Sequence, residues 1–217
     1  MIKSIKAAKM AIGSDLGRPS KMPGRSYGIS AWSCGVGSKL AKIKGSTCHA
    51  CYAKKGNYNT PDVKTSHARR IAAWERDPKL WVEGMIFLIN DRTGKDGVPF
   101  FRGHDSGDFL SIKHVLAWAQ VAQGCPSVDF WIPSREYARV RAAMGIMGEA
   151  WPTNLLIRVS MPMIGMKPTT RMAATFATST VDSQTGHACP APTQDNECGS
   201  CRACWDPNVP NVDYHKH

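Results

Sequence analysis

Seven of the eight cysteines in this chain fall into two groups whose spacing suits metal ligation. The tighter group lies near the C-terminus. Cys189 precedes Cys198-Gly-Ser-Cys201-Arg-Ala-Cys204-Trp205, giving four thiols with two successive two-residue gaps. A Cys-x-x-Cys turn brings both sulfurs to one centre. A third cysteine at the same spacing, completed by a more distant one, suits a polynuclear iron–sulfur cluster. Zinc ribbons use two separated Cys-x-x-Cys pairs instead. The triplet therefore favours iron–sulfur, with [4Fe-4S] the expected form and zinc the alternative. The other group is Cys34 with Cys48-His-Ala-Cys51. Its three thiols leave a fourth metal position for a tail cysteine, for His49 or for an exogenous ligand. Alternatively, Cys48 and Cys51 join two tail thiols in one structural zinc site. Cys125 stands alone in Gln123-Gly-Cys-Pro126 and reads as an inert buried thiol.

Thiols so close together stay reduced only in a reducing compartment, where metal or redox chemistry is favoured over structural disulfides. The N-terminal stretch is basic, and Lys6 and Lys9 interrupt any apolar leader. No apolar run is long enough to cross a bilayer. A cytoplasmic protein with no membrane partner is expected. The net charge of +11 is unevenly placed. Residues 1–70 hold 14 Lys/Arg against Asp15 and Asp62, whereas the remainder holds 14 against 15 acidic residues. The whole excess lies in the first third, which suits a polyanionic partner such as nucleic acid, or equally a solvated basic surface.

The elements that must position these thiols follow from pattern. At 217 residues the chain fits a single domain, 1–217. Residues 1–26, rich in Gly, Ser, Pro and Lys, read as an extended basic arm, and residues 27–33 as a first short strand. The Gly/Lys-rich loop that follows carries Cys34, Cys48 and Cys51. Thr60-Pro61-Asp62 starts a helix, with a capping hydroxyl, proline at the first position and an acid facing the dipole. Asp77-Pro78 repeats the signal for a helix to about Asn90. Strands at 99–104, 128–133, 155–161 and 173–181 then alternate with helices at 112–123 and 136–147. Such alternation predicts an α/β core over 27–181, either a partial parallel β/α barrel or an open parallel sheet. A loop-like, cysteine-rich tail, 182–217, packs on it.

In parallel β/α folds the loops after the strands form the functional rim. Cys34, Cys48 and Cys51 are therefore expected beside His104, Asp105 and Asp108, the candidate cofactor-binding residues, with Ser134-Arg135 and Arg158-Val-Ser160 next along the rim. The same residues also suit bland roles: Ser134 as a helix cap and Asp105 as a turn-closing residue. His114 reads as a surface or satisfied histidine.

Taken together, Cys48-His-Ala-Cys51-Tyr-Ala-Lys-Lys-Gly-Asn-Tyr58, Phe130-Trp131 and Cys198-x-x-Cys201-x-x-Cys204-Trp205 resemble the phage gene product 88 family over most of the chain. The resemblance implies a phage origin and a host-cytoplasmic location more than an activity. At greater distance, three cysteines after a first strand are similar to those of radical S-adenosylmethionine enzymes. There, three thiolates hold a [4Fe-4S] cluster whose fourth iron takes the methionine part of the cofactor. By that analogy Ser106-Gly-Asp108 falls where the cofactor amino group is held, and S-adenosylmethionine becomes a candidate cofactor. Thirteen residues separate Cys34 from Cys48, a wider gap than that motif has. The expectation is an iron–sulfur protein of redox or radical type, served by a redox partner. The alternatives are a zinc-binding, nucleic-acid-interacting protein and a purely structural metal site. Whether the chain is an enzyme stays open.

Overall fold

The computed structural model describes residues 2–216. Seven strands share one sheet: β1 (Arg25–Tyr27), β2 (Phe100–Gly103), β3 (Asp129–Ser134), β4 (Leu155–Ser160), β5 (Ala177–Val181), β6 (His187–Ala188) and β7 (Asn211–Tyr214). Their order is β1-β2-β3-β4-β5-β7-β6, and every pairing is parallel. With β1 and β6 at its edges, the sheet is an open one of the α/β class. Because β1 to β5 are neighbours in chain order, the loops leaving their C-terminal ends lie side by side.

The helices are α1 (Ile5–Ile12), α2 (Gly35–Leu40), α3 (Pro61–Arg76), α4 (Pro78–Asp96), α5 (Ile112–Gln123), α6 (Tyr137–Met147) and α7 (Thr170–Thr175). The sheet has two faces, and the central strands β3 and β4 bury residues on both. On one, Phe101, Phe130, Ile132, Leu155 and Ile157 meet Trp81, Met85 and Leu88 of α4, Val115 and Trp118 of α5, and Val140 of α6. On the other, Phe100 and Trp131 pack edge-on against Trp205 of the tail. Burial on both faces accounts for the apolar run Phe130-Trp131-Ile132-Pro133 in β3.

The structure departs from expectation at both ends. The supposed arm contains α1, capped by Ser4 Oγ, which accepts from Ala7 N at 3.2 Å, and closed by Gly13 at φ 82°. This helix buries Ala8, Ala11 and Ile12 against α4. The approach depends on Gly84, where a Cβ would stand 2.8 Å from Ile12 Cγ2 and 2.9 Å from Ala11 Cβ. The first strand is shorter and earlier than residues 27–33. The helix begun at Asp77-Pro78 continues to Asp96, ended by the left-handed Gly97. Helix α3 starts where expected, but Thr60 Oγ1 donates to Asn57 O at 2.9 Å and caps no helical N–H. The stretch from 173 begins inside α7 before β5 starts at Ala177. The tail is not loop throughout: it supplies β6 and β7, with β7 inserted between β5 and β6. Among the described residues, no helix is long and apolar enough to cross a membrane.

Candidate metal centres

The loop after β1 spreads over the strand ends. Backbone bonds from Thr47 N to Pro162 O and from Ile164 N to Gly45 O, both 3.0 Å, tie it to the segment after β4. Tyr52 donates its hydroxyl to Asp105 O at 2.6 Å, tying it to the segment after β2. Within this frame the three front thiols converge. Cys48 Sγ and Cys34 Sγ lie 3.6 and 3.7 Å from the one point a Cβ on Gly37 would occupy, so their separation is at most the sum of those distances. Cys51 N donates to Cys48 O at 3.3 Å, closing the Cys-His-Ala-Cys turn. Burial pushes the Cys34 thiol up to about 12, helped by the nearby Asp108, Cys51 and Cys48 and opposed by Lys54. Burial also raises Cys48, while the Arg135 guanidinium beside it and hydrogen-bonded to it opposes the rise.

Of the three candidate cofactor-binding residues, none presents a free donor or acceptor set to the front thiols. Asp108 is closest to them, but its carboxylate is already engaged. Oδ1 accepts from Phe109 N at 2.8 Å and from Ser134 Oγ at 2.7 Å, and Oδ2 accepts from Arg135 N at 2.8 Å. Its role is to lock the end of β3 and aim Arg135, whose Nη1 reaches Ser160 O and Met161 O. Burial lifts the Asp108 carboxyl to about 6 against those three donors. Asp105 closes a turn: Oδ1 accepts from Ser106 N and Oδ2 from Ser26 Oγ. His104 turns away from the rim into the helical layer, its ring against Phe109, His114 and Trp118. Neither ring nitrogen has a hydrogen-bond partner, and burial depresses its pKa to about 3. His114 is buried too, its Nδ1 accepting from Leu110 N at 3.2 Å. His49 places Nδ1 3.0 Å from Ala41 O.

The tail thiols form a second group. Cys201 N donates to Cys198 O at 3.0 Å, Cys198 N to Lys21 O at 2.9 Å and Cys189 N to Asp213 O at 2.8 Å. These bonds hold the turn against residues near Lys21 and against β7. Burial raises the Cys189, Cys198 and Cys204 thiols, the last to about 12. Cys189 interacts electrostatically with Cys198, Cys201 and Cys204, so all four tail thiols share one neighbourhood. Cys204 Sγ lies 3.1 Å from Tyr214 Oη, and Cys201 Sγ lies 3.5 Å from His187 Nε2. Arg158 is a structural residue here, fully buried, donating to the carbonyls of Thr178, Ala203, Cys204, Asp206 and Val209.

Sequence reasoning missed Arg102, His187 and Tyr214. Arg102 stacks 4.7 Å over the Trp131 ring and donates Nη2 to Tyr52 Oη at 3.2 Å, one residue from Cys51. Its charge also opposes the rise of the Cys198 and Cys204 thiols, so it stands between the two groups. The available signal was the alternation in β2, which sets Arg102 opposite the core residue Phe101. Cys125 is buried away from both groups, its Sγ 3.8 Å from Ile86 O. All eight thiols are free. Among the described residues, no three His, Cys, Asp or Glu side chains converge tightly enough to hold one metal ion.

The family model described as gene product 88 matches residues 6–207. No curated protein and no solved structure matches the chain.

Proposed function

The chain belongs to the phage gene product 88 family, and from its own residues we propose that it is an iron–sulfur protein with two separate thiol centres. One observation carries this reading: seven thiols stand in two groups, three on the strand-end rim and four in the tail. A donor set of sulfur alone, supported by Arg135 at one group and Arg102 at the other, suits a thiolate-rich centre with net negative charge. Cys198, Cys201 and Cys204, with Cys189, would fill every position of a [4Fe-4S] unit, which suits electron transfer or a structural role. Cys34, Cys48 and Cys51 would leave one iron open to a small ligand. S-adenosylmethionine is one candidate, but not by way of Asp108, whose oxygens are taken by Phe109, Ser134 and Arg135. Free thiols throughout suit the reducing host cytoplasm.

Zinc is the second reading. It is favoured by His187 Nε2 beside Cys201, which would give the tail a mixed sulfur and nitrogen set. Anaerobic purification with iron, sulfide and zinc analysis separates the two. Brown protein carrying iron and acid-labile sulfide supports the first reading. Colourless protein carrying zinc, or protein without metal, removes it.

A further inference from the structure

We propose that the outer surface of the loop 31–60 binds single-stranded nucleic acid across the mouth of the front thiol group. Between Asp15 and Asp62 the chain has no acidic residue, while it has eight Lys/Arg, and five of these are Lys39, Lys42, Lys44, Lys54 and Lys55 of this loop. None of the five is ion-paired among the described residues. Lys39, Lys42, Lys44 and Lys55 are exposed. The loop is no loose basic arm: its bonds to Pro162, Ile164 and Asp105 fix the lysines over the strand ends. Charge held on a fixed frame, in no ion pair among the described residues, is complementary to a phosphate backbone.

Charge alone does not select nucleic acid. The selection comes from three apolar side chains standing out among those lysines: Trp32 at 62% exposure, Ile43 at 48% and Tyr52 at 46%. Trp32 and Tyr52 do not stand free to swing. Lys54 Nζ sits 4.5 Å from the centroid of Trp32, and Tyr52 is held by the Asp105 carbonyl and edge-on against Tyr58. Held in place with much of each ring still exposed, the two match what unstacked bases require. A duplex hides its base faces, so the rings favour a single strand. The inference stands on charge and exposure, whatever metal the thiols hold.

The test uses the full chain and fluorescein-labelled oligothymidylate in an anisotropy titration, with duplex DNA and phosphatidylserine vesicles as competitors. Binding at low salt is expected to weaken with added salt at a log–log slope of about −3, the value for four or five contacts to a single strand. Bound oligonucleotide should quench Trp32. Trp32→Ala should weaken binding about tenfold. The Lys42→Gln, Lys44→Gln pair should weaken it further and flatten the slope, while Lys113→Gln on α5 leaves it unchanged. All these side chains are exposed, so circular dichroism melts should overlay the wild type. No binding at low salt overturns the proposal. So does Trp32→Ala binding like wild type, or displacement by duplex or vesicles as effective as by unlabelled single strand.

Discussion

His104 is held at φ 53° with both ring nitrogens buried and unpartnered, between Phe109, His114 and Trp118. A polar group in that position is tolerated only while it is neutral. Its folded pKa is depressed by burial to about 3, whereas the unfolded chain protonates near the ordinary 6.5. The sign follows: its contribution to stability is fully present above pH 6.5 and is lost as the pH falls toward 3. The slope is about 1.4 kcal/mol per pH unit from this group. His114, depressed by the same burial, acts in the same direction. His104→Phe, which keeps the ring and removes the titration, should flatten the acid-side loss of urea midpoint between pH 6 and 4. An unchanged pH profile would contradict this account. In the tail, Tyr214 Oη stands 3.1 Å from Cys204 Sγ, and burial holds its pKa well above the usual value, so it stays protonated at neutral pH and can donate to a Cys204 thiolate. Hydrogen bonds to cluster sulfurs stabilise the reduced, more negative state. If the tail thiols hold the cluster proposed above, Tyr214→Phe should move its midpoint potential downward in a redox titration while leaving the iron content unchanged.

At the scale of elements, Arg158 decides how the tail is held. Among the described residues no carboxylate pairs with it; five carbonyl oxygens accept its hydrogen bonds, four of them from the tail segment 203–209. Removing the guanidinium strands those acceptors in a buried space. Arg158→Met should cost at least about 3 kcal/mol and expose residues 182–210 to limited proteolysis. Arg158→Lys should rescue little, since one ammonium cannot reach five carbonyls. Elements of this kind divide into those a sequence announces and those it does not. The cap at Asp77 and the strand–helix alternation from residue 99 were legible, because each is local: Asp77 Oδ1 accepts from Lys79 N and Leu80 N. Helix α1 was not, because its Gly, Ser and Lys surroundings resemble an arm, and its stability depends on the gap left by Gly84 about seventy residues later. The strands β6 and β7 were illegible for the same reason. Two residues at His187–Ala188 carry no period, and they become a strand only beside Asn211–Tyr214.

Across the whole molecule, the sheet lies between two different layers, helices on one face and the tail with Trp205 on the other. Sequence order showed that the front cysteines occupy the loop after the first strand, and parallel topology then placed them near Asp108. It did not show that the Asp108 oxygens are consumed by the end of β3, or that His104 faces the core. Those facts depend on side-chain direction across the sheet, which a one-residue shift in β2 would reverse. Nor did it show Arg102 and Trp131 standing between the two thiol groups. That placement bears directly on metal loading. Were a tail cysteine the fourth ligand of the front centre, replacing either group would empty both. Apart from Arg102, which lies between them, each group has its own neighbours: Lys54, Asp108 and Arg135 at the front, Tyr214, His187 and Arg158 in the tail. If the two groups each hold the cluster proposed for them, a variant carrying Cys34→Ser, Cys48→Ser and Cys51→Ser should keep about half of the bound iron and leave the tail folded, because ligand loss uncouples only the segment it held. The converse variant, with Cys198, Cys201 and Cys204 as serine, should lose the other half and loosen residues 182–210. Iron analysis beside limited proteolysis reads both outcomes. Complete metal loss from the front variant alone would show that the two groups form one centre.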